Sequence, residues 1–218
     1  MRTGGLFLAA ALTAAPVAAA ASCGAPDLGV TAQPDATLKV TLAAPCHPGG
    51  TATLSHGGLS FRARLDGNGG YTGPIPALDP TGRVSATLDG GEQLAAAAPV
   101  ADAASRRRFV LAVRGPAPLR LQAGQGIRLT ILGDPSLPAP QLLQVADLPP
   151  EGPAPGLTLI AAVTAQSCGH DLLAATLLTG GAGPAQSGAV SLAMPDCAPA
   201  NIGTHLALDL GGALTPAP

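Results

Sequence analysis

Cys23-Gly24-Ala25-Pro26-Asp27-Leu28 runs on to Val40-Thr41-Leu42-Ala43-Ala44-Pro45-Cys46, and Cys168-Gly169-His170-Asp171-Leu172 runs on to Val190-Ser191-Leu192-Ala193-Met194-Pro195-Asp196-Cys197. Each stretch opens on Cys-Gly, places Asp-Leu shortly after, and closes on an alternating Val-(Thr/Ser)-Leu-Ala-x-Pro run before a second cysteine. Strict alternation of apolar and polar residues is the period of a strand with one face in a core and one in water. Each copy therefore reads as a hairpin whose open ends a disulfide ties together. The two copies use all four cysteines of the chain. Four cysteines allow three pairings, and the repeat selects Cys23 with Cys46 and Cys168 with Cys197.

Outward from these hairpins the same period recurs. Leu59, Phe61, Ala63 and Leu65 alternate with Ser60, Arg62 and Arg64, and strands are expected again at Val84-Ala86-Leu88, Phe109-Leu111-Val113, Leu119-Leu121 and Ile127-Leu129-Ile131. Leu157-Leu159-Ala161-Val163 and Leu206-Leu208-Leu210 continue the series. Many short strands separated by glycine and proline predict an all-β protein of antiparallel β-sandwich modules. The best helix candidate is Glu92 to Ala98, held to a turn or two by Gly90-Gly91 and Pro99. Turn chemistry fits the strand reading. Pro34-Asp35-Ala36 can close the first hairpin and the Gly180 to Gly188 stretch the second, while Asp66-Gly67-Asn68-Gly69-Gly70 offers residues that accept positive φ and predicts a further hairpin.

Proline density rises between Pro135 and Pro155 and ends in Pro149-Pro150-Glu151-Gly152-Pro153-Ala154-Pro155, a stiff, extended composition that reads as a linker. The expected organisation is a leader over residues 1–21, an N-terminal sandwich over 22–100, central strands and the proline-rich linker over 101–155, a C-terminal stapled unit over 156–212 and a disordered tail over 213–218. The central part lacks cysteines and is expected to complete one of its flanks.

Arg2, the apolar stretch from Leu6 to Val17 and the small residues before Ser22 follow the order of a secretory signal peptide, with cleavage near Ala21. Export to the periplasm or beyond agrees with an even cysteine count, since disulfides persist in oxidising compartments. Lipidation at Cys23 is the alternative; it lacks the large aliphatic residue three positions earlier, where Ala20 stands, and it would strand Cys46. No later stretch has the length of a transmembrane helix, so no such span is expected in the mature chain.

Net charge is −2 and only 11% of residues are charged, which excludes the footprint of a nucleic-acid binder. Lys39 is the only lysine among 11 basic residues. Arg106-Arg107-Arg108 is the one basic cluster. It reads as the solvated entrance to a strand, with contact to an anionic lipid or polysaccharide as the rival.

The segment from Leu65-Asp66-Gly67-Asn68-Gly69-Gly70-Tyr71 through Pro74-Ile75-Pro76-Ala77-Leu78 resembles the hairpin of carboxypeptidase-regulatory-like, Ig-like and prealbumin-like sandwich modules. More broadly, Leu42-Ala43-Ala44-Pro45-Cys46, Ser55-His56-Gly57-Gly58-Leu59-Ser60-Phe61, Pro76-Ala77-Leu78, Cys168-Gly169 and Met194-Pro195-Asp196-Cys197 resemble uncharacterised exported bacterial β-proteins, some of them labelled translocase. The chain departs from that pattern in its centre, where an aromatic block with glycine and histidine is missing. The resemblance implies a periplasmic or surface β-protein and brings no catalytic residues.

No Gly-x-Ser-x-Gly elbow is present, so no catalytic residue is assigned. His47, His56 and His170 are the candidates for metal or acid–base chemistry, although none has the His-x-x-x-His or Cys-x-x-Cys spacing of a zinc site. Asp66-Gly67-Asn68 starts like a calcium loop but lacks the distant glutamate. No cofactor is expected. The functional expectation is an exported, non-enzymatic envelope-binding or structural module whose partner is an envelope protein or polysaccharide. The alternatives are a metal-handling protein or hydrolase built on the loop histidines, and a self-assembling surface protein.

Overall fold

The computed structural model describes residues 23–116, 118–180 and 184–211. The expected leader (1–21) and the expected tail (213–218) lie outside the described residues. The protein is all-β. The first seven strands are β1 (Asp27–Gln33), β2 (Thr37–Ala43), β3 (Thr51–His56), β4 (Leu59–Arg64), β5 (Gly70–Pro76), β6 (Arg83–Leu88) and β7 (Gln93–Ala97). A 3-10 turn at Ala101–Ser105 follows, then β8 (Arg108–Arg114), β9 (Leu119–Gln122), β10 (Arg128–Leu132), β11 (Gln141–Asp147), β12 (Thr158–Ala162), β13 (Asp171–Thr179), β14 (Gln186–Ala193) and β15 (His205–Asp209). Every pairing is antiparallel.

Two sheets make the first sandwich, in the orders β1-β2-β5 and β4-β3-β6-β7. Leu38, Val40 and Leu42 of β2 meet Ala52, Leu54, Phe61, Val84 and Ala86 of the opposite sheet in one apolar cluster. Lys39 and Thr41, between them, face out. The second sandwich has the orders β10-β11-β8-β13-β14 and β15-β12-β9. Its core joins Phe109, Leu111 and Val113 to Leu121, Leu159 and Ala161.

The five-stranded sheet separates two cores. Val110 of β8, Leu143 and Val145 of β11 and Leu177 of β13 belong to the first sandwich's cluster, whereas Phe109 and Leu111 belong to the second. Strand β8 is consequently buried along most of its length, on both faces. At ~25 cal/mol per Å2 of apolar area removed from water, this second buried face supplements the thin Ala, Leu and Val cores.

Both stapled hairpins form. Strands β1 and β2 pair from Gln33↔Thr37 to Asp27↔Ala43, and Cys23–Cys46 closes the open end. Strands β13 and β14 pair as far as Asp171↔Ala193, and Cys168–Cys197 closes that end. Because the Cys23 sulfur is bonded to Cys46, it is not available for a lipid thioether, and the lipoprotein alternative is set aside.

Several expectations are corrected. Within Glu92 to Ala98, residues Gln93–Ala97 form a strand, β7, paired with β6, because alternation places Leu94 and Ala96 against the first core. The Asp66 turn is not a hairpin: β4 pairs with β3 while β5 pairs with β2, so the turn carries the chain from one sheet to the other. Of the two flanks, the central strands complete the C-terminal one. Strand β8 lies between β11 and β13 and β9 pairs with β12, so residues 108–209 form a single sandwich. Within the expected linker, β11 is an interior strand, and Ala154 of the proline-rich run is fully buried where the chain crosses between sheets. The second hairpin's connection is shorter than expected, since β14 begins at Gln186. On β10, Ile131 points to solvent and Leu132 inward.

Candidate functional site

The three candidate histidines lie apart. His47 follows the first staple, and its Nε2 sits 3.0 Å from Glu92 Oε2. His170 is exposed beside the second staple. His56 ends β3 and is buried. Its Nε2 accepts the Leu78 N–H (2.8 Å), so that nitrogen carries no proton, and its Nδ1 donates to the Arg83 carbonyl (2.9 Å). Both ring nitrogens thus hold backbone together. The nearby Asp79 carboxylate, at 3.8 Å, binds the Thr81 and Gly82 amides through its other oxygen. With Nε2 engaged by an amide, His56 has no lone pair to offer a serine, and the Ser-His-Asp arrangement is not assembled here. Among the described residues, no three His, Cys, Asp or Glu side chains gather as a metal site.

Two of the three arginines of the cluster do not form a solvated entrance and are not open to an anionic surface. Arg107 and Arg108 are buried, at 5% and 1% exposure. Arg108 Nε reaches Asp147 Oδ1 at 2.6 Å, and its Nη atoms donate to the carbonyls of Asp35, Ala36 and Ala77. Arg107 donates to the Gly152 carbonyl, and exposed Arg106 pairs with Asp35 at 3.2 Å. This planar fork fixes the second sandwich to the first.

The same seam carries a groove on its outer side. The inward set Leu38, Val40 and Leu42 forces Thr37 and Lys39 outward on β2. Register places Pro74 of β5 opposite Lys39 and Thr72 opposite Thr41. Strand β5 is an edge strand, and Pro74 and Pro76 leave it short of donors there, which guards an open edge against pairing. Beyond that edge lies β10, itself the edge of the five-stranded sheet. Gln33, Thr37, Lys39, Thr72, Pro74 and Arg128 line a groove of about 440 Å3 between them, together with Asp35, whose carboxylate is paired with Arg106.

Past Pro74 the groove continues into a space of about 260 Å3 lined by Tyr71, Ile131 and the Arg64–Asp134 pair. That pair is 3.1 Å long and also crosses from one sandwich to the other. Burial raises the Tyr71 pKa, so the phenol keeps its proton and serves as a donor. Ser136 and Arg64 hold the Asp134 carboxyl below its ordinary value. Lys39 and Arg128 have no ion-pair partner among the described residues. One end of the groove therefore carries two cations free of ion pairs, one carboxylate already paired with Arg106, and hydroxyls; the other sets Tyr71 and Ile131 beside the Arg64–Asp134 pair.

Lys39 stands out in the sequence only as the single lysine and Arg128 not at all, the two being lone charges on strands more than eighty residues apart. The outward phase of each strand was legible; their meeting across the seam was not. Among the described residues, no helix is long and apolar enough to cross a membrane. No protein-family model matches the chain, and no curated protein matches it.

Proposed function

We propose that the protein is an exported, non-enzymatic envelope-binding module, and that its ligand is an acidic polysaccharide lying along the groove across the seam. Two closed disulfides and the leader-like N-terminus support an oxidising compartment. The observation that carries the reading is the pair of unmatched cations, Lys39 from one sandwich and Arg128 from the other, lining one groove. Chain carboxylates would meet these cations. Thr37, Thr72 and Gln33 offer hydrogen bonds to sugar hydroxyls, and the Tyr71–Pro74 end offers an apolar surface to a pyranose face. Engagement of both His56 nitrogens supports a binding role over a hydrolytic one.

Co-sedimentation of the exported chain with cross-linked polygalacturonate, beside neutral cross-linked dextran, tests the reading. Retention on polygalacturonate that declines with salt is the expected result. Equal retention on both matrices, or on neither, would overturn it.

A further inference from the structure

A second cleft of about 410 Å3 opens between the sandwiches beside His56. We propose that it is a separate binding site for one small, neutral, polyhydroxylated ligand of monosaccharide size. The key atom is Thr179 Oγ1. It is the one buried side-chain polar atom without a hydrogen-bond partner among the described residues, and Thr179 is 3% exposed. A buried hydroxyl without a partner is unfavourable, and a ligand hydroxyl bonded to it would remove that cost.

The fold sets Thr179 in the wall of the cleft. On β13, Thr179 shares a face with Leu177, which packs into the first sandwich's core, and its register partner is Arg108. Its side chain therefore faces the first sandwich, where Leu78 forms the other apolar wall. Asp79, Arg83 and Ser85 line the same space. The Asp79 Oδ1 atom is occupied by the Thr81 and Gly82 amides, and Oδ2 remains as an acceptor for ligand hydroxyls. Arg83 supplies donors and Ser85 either role. One carboxylate and one guanidinium balance, so this lining favours a neutral ligand, unlike the cationic groove. Apolar walls with polar groups between them match a sugar ring, which has C–H faces and hydroxyl edges.

The test is titration of the full chain with D-glucose, D-galactose and myo-inositol, up to about 10 mM, followed by calorimetry and saturation-transfer NMR. Saturable binding of at least one of these is expected. Thr179→Val keeps the shape and deletes the hydroxyl. It should fold with unchanged or raised stability, because no bond is lost, and should bind about tenfold more weakly. The Arg83→Met variant should also weaken binding, and K39A/R128A should leave it unchanged, which separates this site from the groove. No saturable binding of any probe, undiminished binding by T179V, or binding of an α-amino acid in place of the sugars would overturn the proposal.

Discussion

The guanidinium of Arg108 lies 3.0 Å from the carbonyl oxygen of Ala36, which stands 72 residues earlier in the chain. Ala36 and its neighbour Asp35 both have positive φ, 50° and 59°, at the tip of the first stapled hairpin. A non-glycine residue costs ~1–2 kcal/mol in that region, and the arginine holds both carbonyls in place from the other sandwich. The tip of one hairpin is thus locked by the first residue of the strand that divides the two cores.

Arg108→Met leaves Asp147 unpaired at the seam and the Ala77 carbonyl without its donor, while the Ala36 carbonyl keeps only the Ala77 amide and the Asp35 carbonyl only the Thr37 hydroxyl. A loss of about 3–5 kcal/mol is expected, read as a lower urea midpoint by circular dichroism. Arg108→Lys keeps the charge but not the fork and should fall between. An unchanged midpoint for Arg108→Met would show that the clamp contributes nothing.

The staples close loops of 23 and 29 residues. In the chain-entropy model each contributes about 3–4 kcal/mol. Replacing either pair by alanine should lower stability by that order. The Cys168–Cys197 variant should suffer more, because Cys168 is also part of the second core. Equal urea midpoints for both variants and the parent would contradict this.

The Asp66 turn has a strict requirement at Gly69. Its φ is +77°, and a Cβ there would lie 2.0 Å from the Ala44 carbonyl oxygen, next to the first staple. Gly58 has a similar φ of +79° with open space around it. Gly58→Ala should cost only the left-handed strain, ~1–2 kcal/mol, while Gly69→Ala must also displace the backbone and should cost distinctly more. Thermal melts of the two variants decide the ranking.

Three carboxyls are held below their ordinary value of 3.8. The Gly70 and Asn68 amides act on Asp66, the Thr51 hydroxyl and amide on Asp89, and Ser136 with Arg64 on Asp134. A folded-state pKa below the unfolded one adds stability above the unfolded value, and that stability is lost as pH falls through the folded one. Urea midpoints should therefore stay level down to about pH 5 and fall below about pH 4. Asp66→Ala should be less stable at pH 7 and lose less than the parent on further acidification. A parent midpoint that rises toward pH 3 would refute the sign.

Much of this architecture was legible where strands keep one face wet. Leu38, Val40 and Leu42 alternate with polar residues, and the cysteine repeat marks which hairpins are closed. Strand β11 was hidden because Leu143, Gln144, Val145 and Ala146 are all buried, so alternation vanishes, and prolines on either side suggested a linker. Gln144 illustrates the difficulty: its side chain accepts from the Leu121 amide at 2.6 Å and donates to the Leu119 carbonyl at 2.9 Å, capping the edge of β9 in the facing sheet. Nothing in its own neighbourhood announces that role. The arginine cluster misled for a related reason. Many of its partners are backbone carbonyls, at residues 35, 36, 77 and 152, and composition does not report carbonyls.

Calorimetric titration of oligogalacturonate into the parent chain and into K39A/R128A, each at low and high salt, tests the groove most directly. The parent should bind more weakly as salt rises, since exposed charge pairs are screened. With each exposed charge contributing up to about 1 kcal/mol, the double variant should bind about tenfold more weakly at low salt and with a shallower salt dependence. Equal affinity of the two proteins at both salt concentrations would contradict the assignment of Lys39 and Arg128 as the ligand's contacts.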